Sequence, residues 1–514
     1  MKTILSVFFT VLMGVFTAAA GQPNVVFVFT DDHSLQTIGA YGHRLSAFCK
    51  EHEITPHIDR LATEGGLFEN SLCGNSLCSP SRAAILTGLH SHANGVMTLG
   101  RPITEGLWTF PGAVKEAGYQ TAVIGKWHLG NTPANTDYWR LLNGQGEYYH
   151  PVFIGPDGKE QRQGYATDLI TDMGIEWMEQ RDKSKPFMLM VQHKAPHRPF
   201  SPPPRYYKWL ADVEVPEPDT LFDDYAGRAS PARNQKMEID KDMTLPSDLK
   251  VLEKGKFAGQ LNRLNDAEKA EWDAAFGPRN EAFFKAGLEG KELVRWKYQE
   301  YVKDYLRCVK AVDDGVGRIT DYLANEGLAD NTVVIYSSDQ GFYMGEHGWF
   351  DKRWIYEESL HMPLIVRWPG VVKPGSRFKP LVQNIDYAST FCDITGAKAA
   401  PERHGRSIVP ILRGETPSDW RKSVYYHYYD RGHGVPRHYG VRTERFTLAR
   451  YYETDEWELF DLEKDPQQLR SIYDDSEYSE TVTELKTELT RLRTQFNDKS
   501  DQDEEPGRKK NVGS

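Results

Sequence analysis

The sequence predicts an α/β protein with a large mixed sheet flanked by helices, followed by a small C-terminal antiparallel sheet plus helix subdomain. Continuous apolar, β-branched runs at 24–30 and 331–338 indicate strands that are buried on both faces. Apolar residues spaced by three or four positions across 296–319 indicate a packed helix. Beyond about residue 406, Tyr-rich alternating segments are typical of short antiparallel strands, and helical spacing returns at 480–496.

The chain divides into four predicted parts, the second of which carries an insertion. A signal peptide is expected at 1–20, an N-terminal domain at 21–405 and a small subdomain at 406–496. Within the first domain, 216–290 is polar and charged, which favours an insertion on the surface over a part of the substrate cleft. The charged tail at 497–514 is expected to be disordered.

The N-terminus has the pattern of a secretory signal. Lys2 is followed by an apolar block at 4–16 and by Ala18-Ala19-Ala20, a small-residue cleavage site. The block is too short to span a bilayer comfortably, and no later stretch approaches the roughly 20 apolar residues of a membrane helix. We therefore expect a secreted or periplasmic protein without stable membrane insertion, and an uncleaved anchor is the alternative.

Composition limits the partners and the redox chemistry. The 514 residues are 39% hydrophobic, enough for a sizeable core, and the net charge of −11 argues against nucleic acid as a partner. A local basic pocket can still attract a sulfated or phosphorylated ligand. The five cysteines have no C-x-x-C spacing, which favours neither a zinc site nor a dense disulfide scaffold. If Cys78 is the odd thiol, Cys49 and Cys73 could pair in an oxidising compartment, although spacing cannot show this.

Two predicted strands end in acidic residues. The first runs into Asp31-Asp32, and the late strand runs into Asp339-Gln340. Because ligands of open α/β sheets gather beyond the carboxyl ends of the strands, these side chains are candidate ligands of a hard cation. Three carboxylates and an amide oxygen favour calcium, with magnesium second. A helix cap or a turn is the alternative interpretation of Asp31-Asp32.

A cysteine occupies an unusual position at 78. Pro80 suits the first turn of a helix, so Cys78 is expected at the positive end of that helix. Exposed backbone N–H groups and the Arg82 guanidinium would together favour an anion there. The pattern indicates an anion-reaction site, and a buried free cysteine beside a helix cap is the alternative.

Basic residues follow two further predicted strands. The run at 119–125 resembles a strand, and Lys126 and His128 would share a face if that strand continued. A lysine and a histidine placed together suit an anion clamp and a proton shuttle, whereas an edge strand at the surface is the alternative. The apolar run at 186–192 ends in a proline-marked loop, 193–200, that carries two histidines.

Several of these motifs resemble those of one enzyme family. Cys78-Ser79-Pro80-Ser81-Arg82 resembles the signature of type I sulfatases, and Gly125 to Gly130 resembles their Gly-Lys-Trp-His-Leu-Gly motif. The resemblance implies an alkaline-phosphatase-like α/β fold, in which 21–405 is the catalytic domain. It also implies oxidation of Cys78 to formylglycine (3-oxoalanine) by a formylglycine-generating or anaerobic maturation enzyme.

The resemblance assigns roles to individual residues. It implies one Ca²⁺ ion held by Asp31, Asp32, modified Cys78, Asp339 and Gln340, where Gln340 replaces the commoner Asn. His197 aligns with the histidine that faces the scissile ester oxygen and would protonate the departing alcohol, whereas His193 is expected to be structural. His128 would drive sulfate loss, and charge on the transferring group would be offset by Arg82, Lys126 and Lys352. Candidate sugar contacts are His347, Asp351, Arg353 and His438.

The expected function is hydrolysis of a sulfuric ester on a sulfated sugar or glycan. The insertion and the run at 438–445 most resemble bacterial sulfatases that act on N-acetylglucosamine 6-sulfate. Two alternatives stay open at this point. A phosphodiesterase or phosphonate monoester hydrolase of the same superfamily would use the same nucleophile. An unmodified, non-catalytic protein would only bind sulfated glycans.

Overall fold

A computed structural model describes residues 22–500, and within this range the chain forms 18 β-strands and 13 α-helices. The strands are β1 (Asn24–Asp31), β2 (Gly66–Phe68), β3 (Ser71–Leu72), β4 (Gln120–Gly125), β5 (Tyr138–Leu142), β6 (Val152–Gly155), β7 (Gly158–Gln161), β8 (Phe187–Pro196), β9 (Thr332–Ser338), β10 (Tyr343–Met344), β11 (Phe350–Asp351), β12 (Leu364–Arg367), β13 (Ser376–Phe378), β14 (Val382–Gln383), β15 (Ser423–Tyr428), β16 (His438–Thr443), β17 (Phe446–Tyr451) and β18 (Glu456–Asp461). The helices are α1 (Ser46–Glu51), α2 (Pro56–Glu64), α3 (Cys78–Thr87), α4 (Ser91–Asn94), α5 (Phe110–Glu116), α6 (Ala166–Gln180), α7 (Ser230–Asn234), α8 (Asp266–Ala286), α9 (Gly290–Asn325), α10 (Glu357–Leu360), α11 (Asp386–Thr395), α12 (Val409–Leu412) and α13 (Ser479–Gln495).

The large sheet has ten strands in the order β13-β2-β12-β9-β1-β8-β4-β5-β6-β7. Its centre, from β9 to β5, is parallel, whereas β12 and β6 run antiparallel to their neighbours. Parallel central strands bring their carboxyl ends to one edge, where a ligand site of an open α/β sheet forms. The predicted mixed α/β sheet is confirmed.

Alternate residues of the central strands supply two separate cores. In β1, Val26 and Val28 face one core, which includes α9, whereas Val25, Phe27 and Phe29 face the other, which includes α3 and α11. All eight residues of β1 are buried, as the continuous apolar run predicts. A sheet covered on both faces holds its strand ends rigidly, which suits a precise site at that edge.

The structure extends one predicted strand and ends another. Strand β8 continues through Pro196, so His193 and Lys194 lie in the strand and not in the predicted loop. Strand β4 ends at Gly125, and His128 has a positive φ of 55°. Lys126 and His128 therefore do not share one face of a continuing strand, and that expectation was wrong. The physical reason is the sharp turn at Gly125.

Gly125 is a position where we expect any side chain to be costly. Its φ is 109°, and a Cβ atom there would lie 1.9 Å from the carbonyl oxygen of Gln192. Gly125→Ala should lower the free energy of unfolding by roughly 3 kcal/mol or more, because strain and a backbone clash add. The matched control is Gly118→Ala, with a φ of 97° and no neighbour within 4 Å of the added Cβ. Denaturant unfolding of both variants checks this, and equal losses would contradict it.

The segment 216–290 is not a detached surface lobe. It contains α7 and α8 and none of the strands β1 to β18, which agrees with its polar pattern. However, side chains such as Ile239, Leu249, Trp272 and Phe276 are buried in the same core as α9. These contacts tie the segment to the main domain, so only its outer face is a solvated surface.

The C-terminal part forms the predicted antiparallel sheet and helix. Strands β15 to β18 are hydrogen-bonded in sequence order, and α13 packs on them through Leu485, Leu489 and Leu492. The predicted tail begins too early, because Asp498 is buried. Its carboxylate accepts hydrogen bonds from the hydroxyls of Tyr425 at 2.7 Å and Tyr429 at 2.9 Å. Residues 501–514 of the predicted tail lie outside the described residues.

Two further expectations concern the membrane and the cysteines. No helix within residues 22–500 is long and apolar enough to cross a membrane, and the predicted signal peptide lies outside that range. All five cysteines are buried and unpaired. Cys49 and Cys73 lie in the two different cores, which explains why the conceivable disulfide between them is not formed.

Candidate active site

The candidate site lies at the carboxyl edge of the large sheet, where two strands and one helix converge. Strand β1 delivers Asp31 and Asp32, and β9 is followed at once by Asp339 and Gln340. Helix α3 begins at Cys78 against the same edge. The structure therefore brings together the acidic pairs and the cysteine, which are separated by up to about three hundred positions in the chain.

Each of the three carboxylates has a cationic partner. Asp31 accepts a hydrogen bond from the Lys126 ammonium, and Asp32 accepts one from Lys352 at 2.6 Å. Asp339 Oδ2 accepts from Arg82 Nε at 3.0 Å. Burial favours protonation of Asp31, but Lys126 and the neighbouring cations outweigh it and hold its pKa well below the usual value. Burial instead raises the pKa of Asp32, although Lys352 opposes that shift. The ion pairs thus hold the three carboxyl groups in an ordered cluster, in which Asp31 is the group kept charged.

The same carboxylates form a pocket suited to a hard cation. Oxygen atoms of Asp31, Asp32 and Asp339 all lie within 4.8 Å of one another. Burial, and then the Asp31 charge, raise the pKa of Asp339 well above its usual value. Asp31 Oδ1 and Gln340 Oε1 are buried without a hydrogen-bond partner. Buried, unpaired oxygens are costly, and a calcium ion would satisfy these two while offsetting the crowded charge. The residues therefore fit such an ion.

Gln340 completes this group as a neighbour of both the acid cluster and the cysteine. Its amide nitrogen donates to Asp32 Oδ1 and lies 3.9 Å from Cys78 Sγ. The side chain reaches the position that the sequence predicts for an amide ligand. Gln340 is fully buried at the strand end.

Cys78 is the first residue of α3 and is 1% exposed. Its Sγ, a carboxylate oxygen of Asp31 and a ring nitrogen of His197 all lie within 4.8 Å of one another. Burial, with the Asp31 charge adding to it, raises the pKa of the thiol to about 12. An unmodified thiol here is therefore neutral near pH 7, which makes it a weak nucleophile.

Arg82 is held by hydrogen bonds to other residues of the site, so its guanidinium is not free to turn towards an incoming anion. Its Nη1 donates to the carbonyl oxygen of Lys126 at 2.6 Å and to Gln192 Oε1 at 3.0 Å, and its Nε holds Asp339. The guanidinium also lies over the Phe29 ring, 4.8 Å from the centroid. With these donors engaged, Arg82 fixes a metal-ligand candidate and contributes positive charge at short range.

Two of the predicted histidines lie at the site in their neutral forms. Burial and the surrounding lysines lower the pKa of His197 well below its usual value, although the Asp31 charge opposes them. Its Nδ1 is 2.6 Å from the Arg198 carbonyl oxygen and its Nε2 is 3.7 Å from Asp32 Oδ2. Burial, then Lys126, lower the pKa of half-buried His128 to about 2. A neutral His128 can accept a proton.

Comparison with known proteins decides the family. A family model described as Sulfatase matches residues 23–397. The chain belongs to the sulfatase family. A second model, described as the C-terminal region of N-sulphoglucosamine sulphohydrolase, matches residues 345–495 of this sulfatase. The predictions of a sulfuric ester hydrolase and of its fold class are confirmed.

Individual relatives match this sulfatase over nearly its whole length. N-acetylglucosamine-6-O-sulfatase of Bacteroides thetaiotaomicron is 44% identical over 500 residues, which cover 94% of this chain and 88% of that enzyme. Human N-acetylglucosamine-6-sulfatase is 28% identical over 453 residues, 82% of this chain and 70% of that enzyme. A solved structure of a protein with its substrate D-glucosamine-2-N,6-O-disulfate has a TM-score of 0.90 at 42% identity, covering 94% of this chain and 100% of the other.

The predicted sugar contacts divide into two groups. Asp351 and Arg353 flank Lys352 of this sulfatase and form an ion pair of 2.5 Å with each other. Both have a positive φ, 86° and 98°, and Arg353 Nε is buried without a partner. Backbone strain and an unused donor beside the reacting group are features of binding sites. These two residues remain candidates for a substrate contact.

His347 and His438 form the second group, in which other residues of the protein hold the rings. His347 Nδ1 is engaged by Arg228 at 3.0 Å and by Asp223 at 3.2 Å, so it anchors the segment 216–290. His438 Nε2 accepts from the Ile355 N–H at 3.2 Å, and its Nδ1 donates to the Pro436 carbonyl oxygen at 2.8 Å. Both rings are fully buried. These contacts hold both rings in place, while His347 Nε2 is buried without a hydrogen-bond partner. A sugar contact by His347 or His438 stays a prediction.

Sequence reasoning missed several side chains of the site. Gln145 Oε1 accepts from Lys126 Nζ at 2.6 Å, and Gln192 positions Arg82. Tyr148 donates to the His197 carbonyl oxygen at 2.5 Å. Lys194 is 2% exposed, and its ammonium lies 5.1 Å from the centre of the Tyr148 ring. A basic residue three positions before His197 was the available signal for Lys194, but the segment was interpreted as a loop.

Proposed function

We propose that this sulfatase removes the 6-O-sulfate from N-substituted glucosamine units of glycans, with N-acetylglucosamine 6-sulfate as the expected unit. The observation that carries the proposal is the 44% identity, over nearly the full chain, to an N-acetylglucosamine-6-O-sulfatase. The similar structure solved with D-glucosamine-2-N,6-O-disulfate supports the same position on the sugar. Both relatives are named for an ester of glucosamine position 6.

The proposed nucleophile derives from Cys78 after oxidation to formylglycine by a maturation enzyme. The hydrated aldehyde would supply two hydroxyl groups, one to attack sulfur and one to release sulfate. Two observations support a modified residue. The thiol itself is neutral, with a pKa raised to about 12 by burial, and it lies at the positive end of α3.

The proposed metal ion is a single calcium held by Asp31, Asp32, Asp339, Gln340 and the modified Cys78. When bound, it would stabilise negative charge on the transferring sulfuryl group and on the nucleophile. Lys126 and Lys352 also lie on the carboxylates of this group, so both ammoniums are close to any anion that enters it. Arg82 keeps Asp339 in place and adds positive charge.

His197 is proposed to protonate the departing alcohol. In the ligand-free site it is neutral, because burial and nearby lysines disfavour its charged form. An anionic sulfate ester would offset those lysines and raise the pKa of His197, which makes protonation of Nε2 coincide with substrate binding. The Nδ1 contact with the Arg198 carbonyl fixes the ring so that Nε2 faces the site.

His128 is proposed as the base that drives sulfate release. Burial and Lys126 keep the ring neutral in the ligand-free site, and its Nδ1 is buried without a hydrogen-bond partner. A bound sulfate would offset the charge of Lys126 and raise the pKa of His128, which makes the ring a better proton acceptor. Ser79 donates to the His128 carbonyl oxygen at 2.6 Å, which ties the loop of His128 to the helix that carries Cys78. That link holds the proposed base at a fixed distance from the proposed nucleophile.

Asp351 and Arg353 are the proposed contacts for sugar hydroxyl groups. Burial favours protonation of Asp351, but the positive charges of Arg353 and Lys352 outweigh it and lower the pKa of Asp351 to about 2. The pair therefore stays charged. A charged acceptor and a charged donor side by side suit a hydroxyl, which can both donate and accept. Their position beside Lys352 would orient the sugar relative to the sulfate.

The substrate proposal is tested by turnover on defined esters. We expect hydrolysis of N-acetylglucosamine 6-sulfate at a kcat/KM at least about 100-fold above that on N-acetylgalactosamine 4-sulfate, because misplacing the ester by an ångström costs about that factor. A phenyl monoester of a phosphonate should be hydrolysed more slowly than phenyl sulfate. Faster phosphonate hydrolysis would instead favour the other hydrolase activity considered from the sequence.

His197→Ala should separate the two halves of the mechanism. A sugar alkoxide is a poor leaving group, so loss of the proposed acid should slow its release on the order of 100-fold. A nitrophenyl sulfate needs little protonation, and its hydrolysis should fall much less. The measurement is single-turnover S–O cleavage on both substrates. Equal losses on both would assign the acid role to another group, with Lys352 as the next candidate.

We further propose export and a two-part organisation. The predicted signal at 1–20 supports a secreted or periplasmic location. A boundary near residue 405 is supported by the separate apolar cluster that β15 to β18 form with α13. The C-terminal part also contacts a candidate site residue, since the Tyr426 hydroxyl donates to the Arg353 carbonyl oxygen at 2.6 Å.

A further inference from the structure

Lys194 is a buried cation that the proposed mechanism does not use. It is 2% exposed, yet its ammonium makes neither a hydrogen bond nor an ion pair with any residue between 22 and 500. Its one close aromatic neighbour is the Tyr148 ring. A buried ammonium without an anionic partner is expensive, so a folded protein keeps one where function requires it.

The electrostatic surroundings locate Lys194 at the sulfate end of the site. Burial, and then the positive charge of Lys126, lower the pKa of Lys194 to about 8, while Asp31, Cys78 and Asp32 oppose this shift. The charge of Lys194 in turn helps to lower the pKa of His128 and of His197. The geometry agrees with this placement. Lys194 lies on β8, whose Pro196 pairs with Asp31, and its ammonium is 5.1 Å from the centre of the Tyr148 ring, whose hydroxyl donates to the His197 carbonyl oxygen.

The other cations of the pocket are already engaged. Lys126 is paired with Asp31, Lys352 with Asp32 and Arg82 with Asp339. Lys194 is the basic group of this set that lacks a carboxylate. Since the site otherwise matches each cation with an anion, the missing partner of Lys194 is an anion that comes with the substrate.

We propose that Lys194 binds a non-bridging oxygen of the substrate sulfate and is a further sulfate-binding residue of this sulfatase. The inference rests on the proposed function, because it assigns the entering anion to the ester that is hydrolysed. It makes the affinity of the site for tetrahedral oxyanions depend on Lys194. It also means that the buried charge lowers stability until the anion binds.

The test uses inorganic sulfate as the probe and Lys194→Met as the variant. Met has a similar length and retains the contact with Tyr148, but it carries no charge. We expect sulfate to bind Lys194→Met about 10- to 100-fold more weakly than wild type, the range for losing one charge-assisted hydrogen bond. Sulfate-dependent melting curves at constant ionic strength measure the affinity. General stabilisation by sulfate acts on both proteins and cancels in the comparison.

A second readout separates binding from a structural role. Without sulfate, Lys194→Met should melt at the same temperature as wild type or higher, because it removes an uncompensated buried charge. The matched control is Lys297→Met, since Lys297 is also buried but donates to the carbonyl oxygens of Ile239, Asp240 and Met243. This control should lose stability and keep wild-type sulfate affinity.

The outcomes are distinct. Unchanged sulfate affinity in Lys194→Met would overturn the inference, as would a loss of stability like that of Lys297→Met. Weaker sulfate binding with retained stability supports it. Sulfate binding is measured without turnover, so a wild-type protein that binds sulfate through Lys194 but hydrolyses no glucosamine 6-sulfate would refute the proposed substrate alone.

Discussion

Replacing Cys78 by Ala or by Ser is expected to abolish steady turnover, with a loss of kcat of at least about 10⁴-fold, the scale seen when a nucleophile is removed. Ala cannot become an aldehyde hydrate, and an unoxidised Ser carries a single hydroxyl, so neither supplies the second hydroxyl group that would release sulfate. The Ser variant retains one hydroxyl and could complete at most a single cleavage. The measurement is product formed per enzyme over many equivalents of substrate.

Folding of these Cys78 variants provides the control. Cys78 is the first residue of α3 and makes one long contact, with Gln340 at 3.9 Å, so Ser and Ala should fit with little change in stability. Melting curves and sulfate binding should therefore match those of the unmodified protein. Sustained multiple turnover by Cys78→Ala, or by Cys78→Ser whose intact mass shows an unoxidised serine, would show that the nucleophile lies elsewhere.

Removal of calcium is expected to have the second-largest effect. A cation that stabilises the transferring group lowers the activation free energy by several kcal/mol. Exhaustive chelation should therefore slow turnover about 1,000-fold. Chelation should also lower the melting temperature, because Asp31, Asp32 and Asp339 would repel one another in a buried pocket. Added calcium should restore both the rate and the melting temperature.

The stability effect can be assigned to this pocket with Asp339→Asn. That variant removes one charge of the cluster and leaves the Arg82 side chain without its carboxylate partner. Its melting temperature should respond much less to chelation than that of wild type. If chelation changes neither the rate nor the melting temperature of wild type, the assignment of Asp31, Asp32 and Asp339 to a metal is wrong.

The central strands and the residues at their ends were predictable from the sequence. The apolar run of β1 and that of β9 identify strands buried on both faces, and the parallel topology then requires Asp31 and Asp339 to meet. The same logic placed Cys78 at the start of a helix, since Pro80 fits a first turn. These features depend on local pattern and on general rules of sheet topology.

Features that depend on distant neighbours could not be predicted in this way. The sequence suggests sugar contacts at His347 and His438, but it does not show the groups that hold their rings, Arg228 for His347 and the Ile355 N–H for His438. Lys194 was missed because two prolines suggested a loop, whereas pairing with β1, in which Asp31 lies opposite Pro196, extends β8. Tertiary hydrogen bonding thus overrode the local turn signal.

The burial of helix α3 constrains when the protein can be activated during its synthesis. All ten residues of this helix are buried, and Cys78 is 1% exposed, so an oxidising enzyme has no access to the thiol in the folded chain. If Cys78 is matured as proposed, the modifying enzyme must capture an extended segment around residue 78 before the two cores close. Modification and folding then compete, and each molecule that folds before its Cys78 is modified stays inactive. The active fraction of a preparation should therefore fall when folding outpaces maturation, whatever the stability of the finished protein.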